Sequence, residues 1–427
     1  MKIFRYIKNN KILNNFIILF TGDGISSILN IISTAIIIRA IGLDENGVIV
    51  MIQTYALFFD QIFNFKIFES LIKYLIKSIQ QDNIEKCKSY IKQGVFLDLI
   101  TASIATILGI LCVNIVINIM KWDIYLKSYI VIYMFTVLFN ISGVAIGIIR
   151  TYNKFKYISY INVVISVIKV VLYIFGLVFN YNFIYYFFVE ALMSILKNLV
   201  LAISAYKILV KNGMGDFYKV PLKIDKKFFM FSLNTNLAST IDLPINTLST
   251  FIMNKYLGFE AISVFKVFEK IGTLVGKFSG PLNQIVYPEL NLYVANGQDD
   301  EAIKLSKKLG YGILAIGIFV LFGIVVTNEF WLGIFIPNYD SYLISLYLYI
   351  FLIIFTNATA TVHSLFMALG YIKYIVPILL CVNLLYIIII IPVVKILQLN
   401  GVILMLLIQA ILVVIIKLII MKKVKIS

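Results

Sequence analysis

Three cysteines, one histidine and a charged fraction of only 14% in 427 residues narrow the chemistry at the outset. Cys87, Cys112 and Cys381 are odd in number, lie far apart and form no CxxC, so neither a disulfide framework nor a metal site is expected. His363 reads as a satisfied packing residue ahead of a proton relay. There is no HExxH, no Ser/His/Asp set and no GxxxxGK[ST], which argues against catalysis and against nucleotide hydrolysis by this chain alone. No cofactor is expected. No outer loop is long enough to be a folded domain.

What is abundant is apolar. Hydrophobic residues make up 61% of the chain, and its mean hydropathy is +0.97. Soluble domains average about 45–50% apolar and about 25% charged, so the expectation is an all-α integral membrane protein. About twelve runs approach the roughly twenty residues that a bilayer requires. They lie near 15–38, 46–72, 94–119, 126–150, 157–180, 183–209, 228–255, 260–286, 308–328, 341–369, 371–395 and 398–420. The formal net charge of +16 does not indicate nucleic acid, because the lysines sit in short loops on one side: at Lys2 to Lys11, Lys73 to Lys92, Arg150 to Lys156, Lys211 to Lys227, Lys304 to Lys308 and Lys422 to Lys425. That is the positive-inside pattern. It predicts both termini in the cytoplasm and an even number of spans. The opening MKIFRYIKNNK resembles a signal-peptide n-region, but the apolar run behind it is too long and lacks a small-residue cleavage site, so an uncleaved first helix is expected.

The halves repeat. At an offset of 216, Ile41-Gly-Leu-Asp-Glu-Asn-Gly-Val lies over Leu257-Gly-Phe-Glu-Ala-Ile-Ser-Val, and Glu85, Lys88, Lys92 and Gly94 fall on Glu301, Lys304, Lys308 and Gly310. Two matches at one offset argue for duplication of a six-span unit. The expected domains are a six-helix lobe at 1–209, a cytoplasmic link at 210–227 broken by Gly213, Gly215 and Pro221, and a second pseudo-symmetric lobe at 228–427. Related by an axis along the membrane normal, such lobes place a substrate between them.

Ionisable groups within spans are costly and mark function or pairing. The stretch Lys226 to Pro288 concentrates them. Asp242 sits near the middle of the seventh span with Pro244 two residues on, which breaks the helix. Lys266, Glu269, Lys270 and Lys277 follow on the eighth, with the three lysines at spacings that share a face. Lys169 lies deep in the fifth span, and is read either as a cavity-lining cation or as half of an ion pair. Glu190 and Lys197 share a face of the sixth, Glu190 pairing between helices or touching substrate. Asp23, between two glycines of the first span, aligns one turn before Asp242; a proton- or cation-linked site and structural capping are both open. Lys66, Glu69 and Lys73 read as a solvated ladder, or as a basic mouth. The candidate substrate-binding cations are thus Lys169, Lys197, Lys266, Lys270 and Lys277, and the coupling or pairing acids Asp23, Asp242, Glu190 and Glu269.

Several segments carry a family resemblance. IGLDENGVIVMIQTYALFFDQIFNFKIFESLIKYL resembles the second span of bacterial polysaccharide flippases. STIDLPINTLSTFIMNKYLGFEAISVFKVFEKI is similar to their seventh and eighth helices, GPLNQIVYPELNLYVANGQDDEAIKLSKK to the connection that follows, and WLGIFIPNYDSY and FMALGYIKY to the two ends of the tenth. Ile336-Pro337-Asn338 departs from the Phe-Gly of many relatives. The resemblance is to the O-antigen branch of the multidrug/oligosaccharidyl-lipid/polysaccharide flippase superfamily. It implies two alternately open six-helix lobes in the bacterial cytoplasmic membrane, moving undecaprenyl-diphosphate-linked glycan from the inner to the outer leaflet. Implied partners are that lipid-linked oligosaccharide, membrane lipids, H+ or Na+ if transport is ion-coupled, and other polysaccharide assembly proteins. A cation-coupled drug antiporter is the alternative, and the lysines of the fifth, sixth and eighth spans count against it. A membrane glycan polymerase or glycosyltransferase is a third, weakened by the absence of a long outer loop.

Overall fold

The computed structural model describes residues 11–65, 67–240, 244–277, 280–336 and 339–424, and the side chain of Lys277 lies outside the described set. All regular structure in these residues is helical. That follows from the composition: in hydrocarbon no water can satisfy backbone N–H and C=O groups, so a spanning segment must satisfy its own.

The helices are α1 (Lys11–Phe63), α2 (Ile67–Gln80), α3 (Ile84–Met120), α4 (Leu126–Leu138), α5 (Ser142–Thr151), α6 (Phe155–Val178), α7 (Phe183–Lys211), α8 (Lys226–Thr240), α9 (Ser249–Lys277), α10 (Gly280–Ala295), α11 (Asp299–Val326), α12 (Asn328–Gly333), α13 (Leu343–Ala368) and α14 (Ile375–Val424). Three of these hold a reversal rather than one straight helix. α1 turns at Gly42 (φ 81, ψ 172), α9 at Gly258 (φ 86, ψ −175) and α14 at Gln398 (φ 50, ψ −132). Gly42 and Gly258 are the equivalent glycines of the repeat, and both occupy backbone that a side chain strongly disfavours. The duplication is therefore present in conformation as well as in letters. With these turns counted, the described residues make twelve spans.

The spans are not uniform rods. The second is interrupted between Phe63 and Ile67, where α2 takes over. The fourth is two half-helices, α4 and α5, joined at Phe139-Asn140-Ile141. The seventh is broken as Pro244 predicts: α8 ends at Thr240 and a π-helical turn, Pro244–Leu248, leads into α9. Asp242 lies outside the described residues.

Two compact units emerge, Met1–Ile41 with Val48–Leu243, and Gly42–Gly47 with Pro244–Ser427. The division between these units falls inside the seventh span. The reason is packing. In the first unit α8 lies on α2, with Ser232 and Ser70 hydroxyls 2.6 Å apart and Phe228 stacked on Tyr90 at 5.6 Å. Asn236 Nδ2 also donates to the Ile62 carbonyl at 2.9 Å. The core there joins Ile67, Leu71, Ile148, Leu201, Leu209 and Phe228. In the second unit, α13 is the central helix, packed against α9, α10, α11 and α14. Ser249, just past the break, bonds the Tyr386 hydroxyl at 2.6 Å.

The link itself is fastened to the start of α3. Lys88 pairs with Asp216 at 2.5 Å. Lys92 Nζ donates to the carbonyls of Tyr218 and Val220 at 2.7 and 2.6 Å. Gln93 and the Asp225 backbone exchange two hydrogen bonds. The Asp225 carboxylate caps α8, accepting from the N–H groups of Lys227 and Phe228 at 2.8 and 3.1 Å and from the Tyr90 hydroxyl at 3.0 Å. Burial pushes this carboxyl up, but the Phe228 N–H, the Tyr90 hydroxyl, the Lys227 N–H and the Lys86 charge outweigh it and hold it below the usual carboxylate range. Asp216 is also held low, chiefly by its bond from Lys88.

Candidate functional site

The charged groups singled out in the sequence come to three different ends. Lys169 on α6 meets Glu190 on α7 at 2.5 Å, with both side chains largely covered (19% and 15% exposed). The Tyr173 hydroxyl donates to the same carboxylate. Of the two readings open for Lys169, the ion pair is the one formed, and Glu190 joins helices. Lys266 is paired too, but along its own helix, with Glu269 at 2.5 Å. Lys270 lies half-buried one turn further on. Lys66 is outside the described residues, and no ion pair joins Glu69 to Lys73 among those described. Lys73 holds its ammonium 4.0 Å from the centre of the Phe231 ring, an aromatic seat for the charge.

Asp23 is built into a seam between the first and fifth spans. Asn162 Nδ2 donates to it at 3.3 Å, and the hydroxyls of Ser26 and Ser166 meet one turn away at 2.8 Å. His363 Nδ1 accepts from Lys417 Nζ at 3.0 Å. An ammonium can only donate, so the ring is a hydrogen-bonded packing partner.

Lys197 is different. It is the middle residue of α7 (Phe183–Lys211), and no hydrogen-bond or ion-pair partner is found for it among the described residues. By area it is exposed, yet protein surrounds it and Asp23 acts on it across space. Both hold because the side chain enters a cavity of about 400 Å3 inside the first unit. Helices α1, α4, α5 and α7 supply the wall. Gln53, Asp60, Asn140 and Ser142 come from one side, Tyr133 and Thr136 from α4, Ser194, Lys197 and Asn198 from α7.

Sequence reasoning missed Asp60 and Asp98, the two carboxylates that are buried among the described residues (8% and 1% exposed). Asp60 accepts from Asn64 Nδ2 at 3.0 Å and from Asn140 Nδ2 at 2.6 Å. Asn140 in turn accepts from the Ser142 hydroxyl at 2.9 Å, and its carbonyl receives Asn64 at 3.0 Å. This network occupies the break in the fourth span, where carbonyls and N–H groups are released from the helical ladder. Asp98 faces the start of α5 and accepts the Val144 N–H at 2.8 Å, while its other oxygen is buried without a hydrogen bond. A carboxylate at a helix N-terminus gains from the exposed N–H groups and the positive end of the dipole. Gly143 permits the approach: a Cβ there would lie 2.8 Å from Asp98 Oδ1. The missed signal was a single acid in each of two apolar runs, ALFFDQIF and GVFLDLIT.

Chemically, the cavity can bind a polar solute by hydrogen bonding and hold it at mid-span. It has no nucleophile–base pair, and the described residues contain no cluster of His, Cys, Asp and Glu able to hold a metal ion.

Comparison with known proteins bears on what such a cavity serves. The profile of the family described as "Polysaccharide biosynthesis protein" matches residues 12–293. No curated protein matches the chain. Among solved structures, the chain is similar to an inward-facing multidrug resistance MATE family transporter of the MOP superfamily, with 13% identity, a TM-score of 0.66 and coverage of 92% of each chain. An outward-facing MATE family transporter gives a TM-score of 0.64 at 14% identity, over 95% of this chain and 93% of that one. A MOP superfamily transporter from Pyrococcus furiosus, whose binding pocket is described as of reverse polarity and suggestive of a different function, gives 0.66 at 14% identity over 95% and 93%. At such identities the likeness establishes the fold: twelve helices in two six-helix lobes.

Proposed function

Because the chain belongs to the polysaccharide biosynthesis protein family and has a transporter fold, we propose that it is a flippase for polyprenyl-diphosphate-linked oligosaccharide. The cargo is an O-antigen or capsule repeat unit, moved from the inner to the outer leaflet of the bacterial cytoplasmic membrane by alternating access. The observation that carries this reading is the polar cavity at mid-span with Lys197 reaching into it. A charge at bilayer depth costs about 2.5–3.5 kcal/mol on insertion scales. Lys197 meets that cost with no direct hydrogen bond or ion pair among the described residues, only the more distant charge of Asp23, which supports a role in holding cargo. Lys270 and Lys277 of the eighth span supply the cationic character proposed for the diphosphate path, while Lys266 and Lys169, read from the sequence as further cations there, are offset by Glu269 and Glu190. The domains of this reading are 1–209, the 210–227 link and 228–427, with both termini and the link cytoplasmic. Coupling to H+ or Na+ through Asp23 and Asp242 belongs to the same reading.

The test is transport by the purified protein in proteoliposomes. A polyprenyl-diphosphate oligosaccharide with a labelled glycan should cross from one leaflet to the other only when the protein is present, and Lys197→Met should slow it. Extrusion of cationic dyes with no movement of the lipid-linked glycan would overturn the flippase. It would favour a cation-coupled multidrug antiporter, the reading supported by the likeness to multidrug transporters.

A further inference from the structure

The cavity of the first unit, at about 400 Å3, falls within the range of small-molecule sites, about 300–1,000 Å3. The two full charges on its wall, Asp60 and Lys197, cancel. The rest of its polar wall is amide and hydroxyl, from Gln53, Asn140, Asn198, Thr136, Ser142 and Ser194, groups that offer both donors and acceptors. Tyr133 adds a flat, 93%-covered ring whose hydroxyl is tied to Gln53 and Ser194.

Each obvious class of occupant can be tried against this wall. A diphosphate would gain Lys197 but meet the Asp60 carboxylate, and like charges at close range in a partly dehydrated site repel strongly. A lipophilic cation would gain Asp60 and meet Lys197. An apolar chain would pack on Ala56, Leu57, Val137, Ile146 and Leu201 but leave the amides, hydroxyls and both charges without partners, each at a desolvation cost. A pyranose has apolar C–H faces for the first set and hydroxyls for the second. An uncharged, hydroxyl-rich ring fits all of them. Its hydroxyls donate to Asp60 and accept from Lys197, and hydrogen bonds with one ionised partner are the strong kind. Asp60 already accepts one amide bond on each oxygen, which holds the carboxylate in place while leaving lone pairs for a ligand.

We infer that this cavity is a subsite for one uncharged pyranose of the transported glycan, lined entirely by helices of the first unit. The inference rests on the reading of the protein as a glycan carrier, and adds that a neutral sugar, not the diphosphate, is held here. The diphosphate then lies elsewhere along the path, and specificity for the repeat unit is set by hydroxyl geometry at Asp60, Asn140 and Lys197.

The experiment uses the full chain in nanodiscs, with Ser194→Cys as a reporter for a soluble thiol reagent. The native Cys87, Cys112 and Cys381 are not among the cavity-lining residues. The probes are a panel of neutral methyl pyranosides, a methyl glucuronide and inorganic pyrophosphate. At millimolar concentration at least one neutral pyranoside should slow labelling of Cys several-fold, and the two anions should not. Asp60→Asn and, separately, Lys197→Gln should each abolish protection, and retained protection in both overturns the subsite. The unprotected labelling rate of each variant is read alongside as the measure of the cavity itself. Protection by pyrophosphate alone, or by nothing in the panel, overturns the subsite. Transport of lipid-linked glycan by the same preparation separates the two readings. Transport without protection sinks the subsite alone; dye extrusion in place of glycan transport sinks the flippase and the subsite with it.

Discussion

The two units are built on the same repeat but keep their polarity in different places. In the first, charge is carried between helices: Lys169 to Glu190 across α6 and α7, Asp98 onto the start of α5, and Asp60 into the break of the fourth span. In the second, the charged pair Lys266 and Glu269 lies along one helix. Contacts between its helices include neutral pairs, Ser249 to Tyr386 at 2.6 Å and Ser345 to Asn400 at 2.6 Å, and a single charge set on a neutral ring, Lys417 on His363 at 3.0 Å. A duplicated fold therefore does not dictate where charge goes. Hydropathy and turn glycines are shared by the repeats, whereas the interhelical partners have diverged, and the first unit alone combines buried carboxylates with a wide polar cavity among the described residues.

The sharpest way to break this contrast is to remove one side of the interhelical pair. Lys169→Met should leave Glu190 in a low-dielectric seam and destabilise the protein by about 3 kcal/mol, read as a lower thermal midpoint in detergent. Lys169→Met combined with Glu190→Gln should recover much of that loss. A single substitution without effect would show that solvent reaches the pair.

Next in size is the start of α5. Gly143→Ala places a methyl against Asp98 and should cost roughly 1–3 kcal/mol by overpacking. Asp98→Ala removes the acceptor of the Val144 N–H and should cost about 1–3 kcal/mol. If Asp98 only fills space, Asp98→Leu will be tolerated as well as Asp98→Asn.

The link gives a smaller effect with a defined pH sign. Asp225 is held below the ordinary carboxylate range in the folded protein, so its contribution is fully present above the unfolded value, near 3.9. It is lost as pH falls through the lower folded value. Protection of the link from proteolysis should therefore persist at neutral pH and fail in acid. Asp225→Ala, at the cost of a helix cap of about 1 kcal/mol, should weaken that protection at neutral pH and reduce its pH dependence, the remainder coming from Asp216 on Lys88.

The smallest change is expected in the second unit. Glu269→Gln breaks a pair three residues apart on one helix, with exposures of 25% and 34%. Stability should move by only about 0.3–0.5 kcal/mol. A loss as large as that of Lys169→Met would erase the distinction between the units.

Most of the fold was legible in the sequence because its causes are local. Twelve apolar runs, the offset linking Gly42 to Gly258, and Pro244 in the seventh span each act within a few residues. The charged groups were legible as oddities, yet their partners were not. Whether Lys169 lines a cavity or meets Glu190 depends on the rotation of one helix against another, which no single span encodes. The break at Asn140 was missed for a further reason. It has neither Pro nor Gly at the joint, and only tertiary bonds to Asp60 and Asn64 define it. Asp60 and Asp98 obey the same rule as Asp23 and Asp242, an ionisable group inside an apolar run, and were legible on that ground.

The fastened link also makes the chain divisible. A cut after Gly213, which turns with φ 70, would leave the later fragment carrying its own plug. Asp216, the Tyr218 and Val220 carbonyls, Asp225 and the α8 aromatics all fit onto Lys88, Lys92, Tyr90 and Gln93 of the earlier one. Residues 1–213 and 214–427 co-expressed as separate chains should therefore co-purify, and fragments that fail to do so would show that these contacts hold the link only while the chain is continuous.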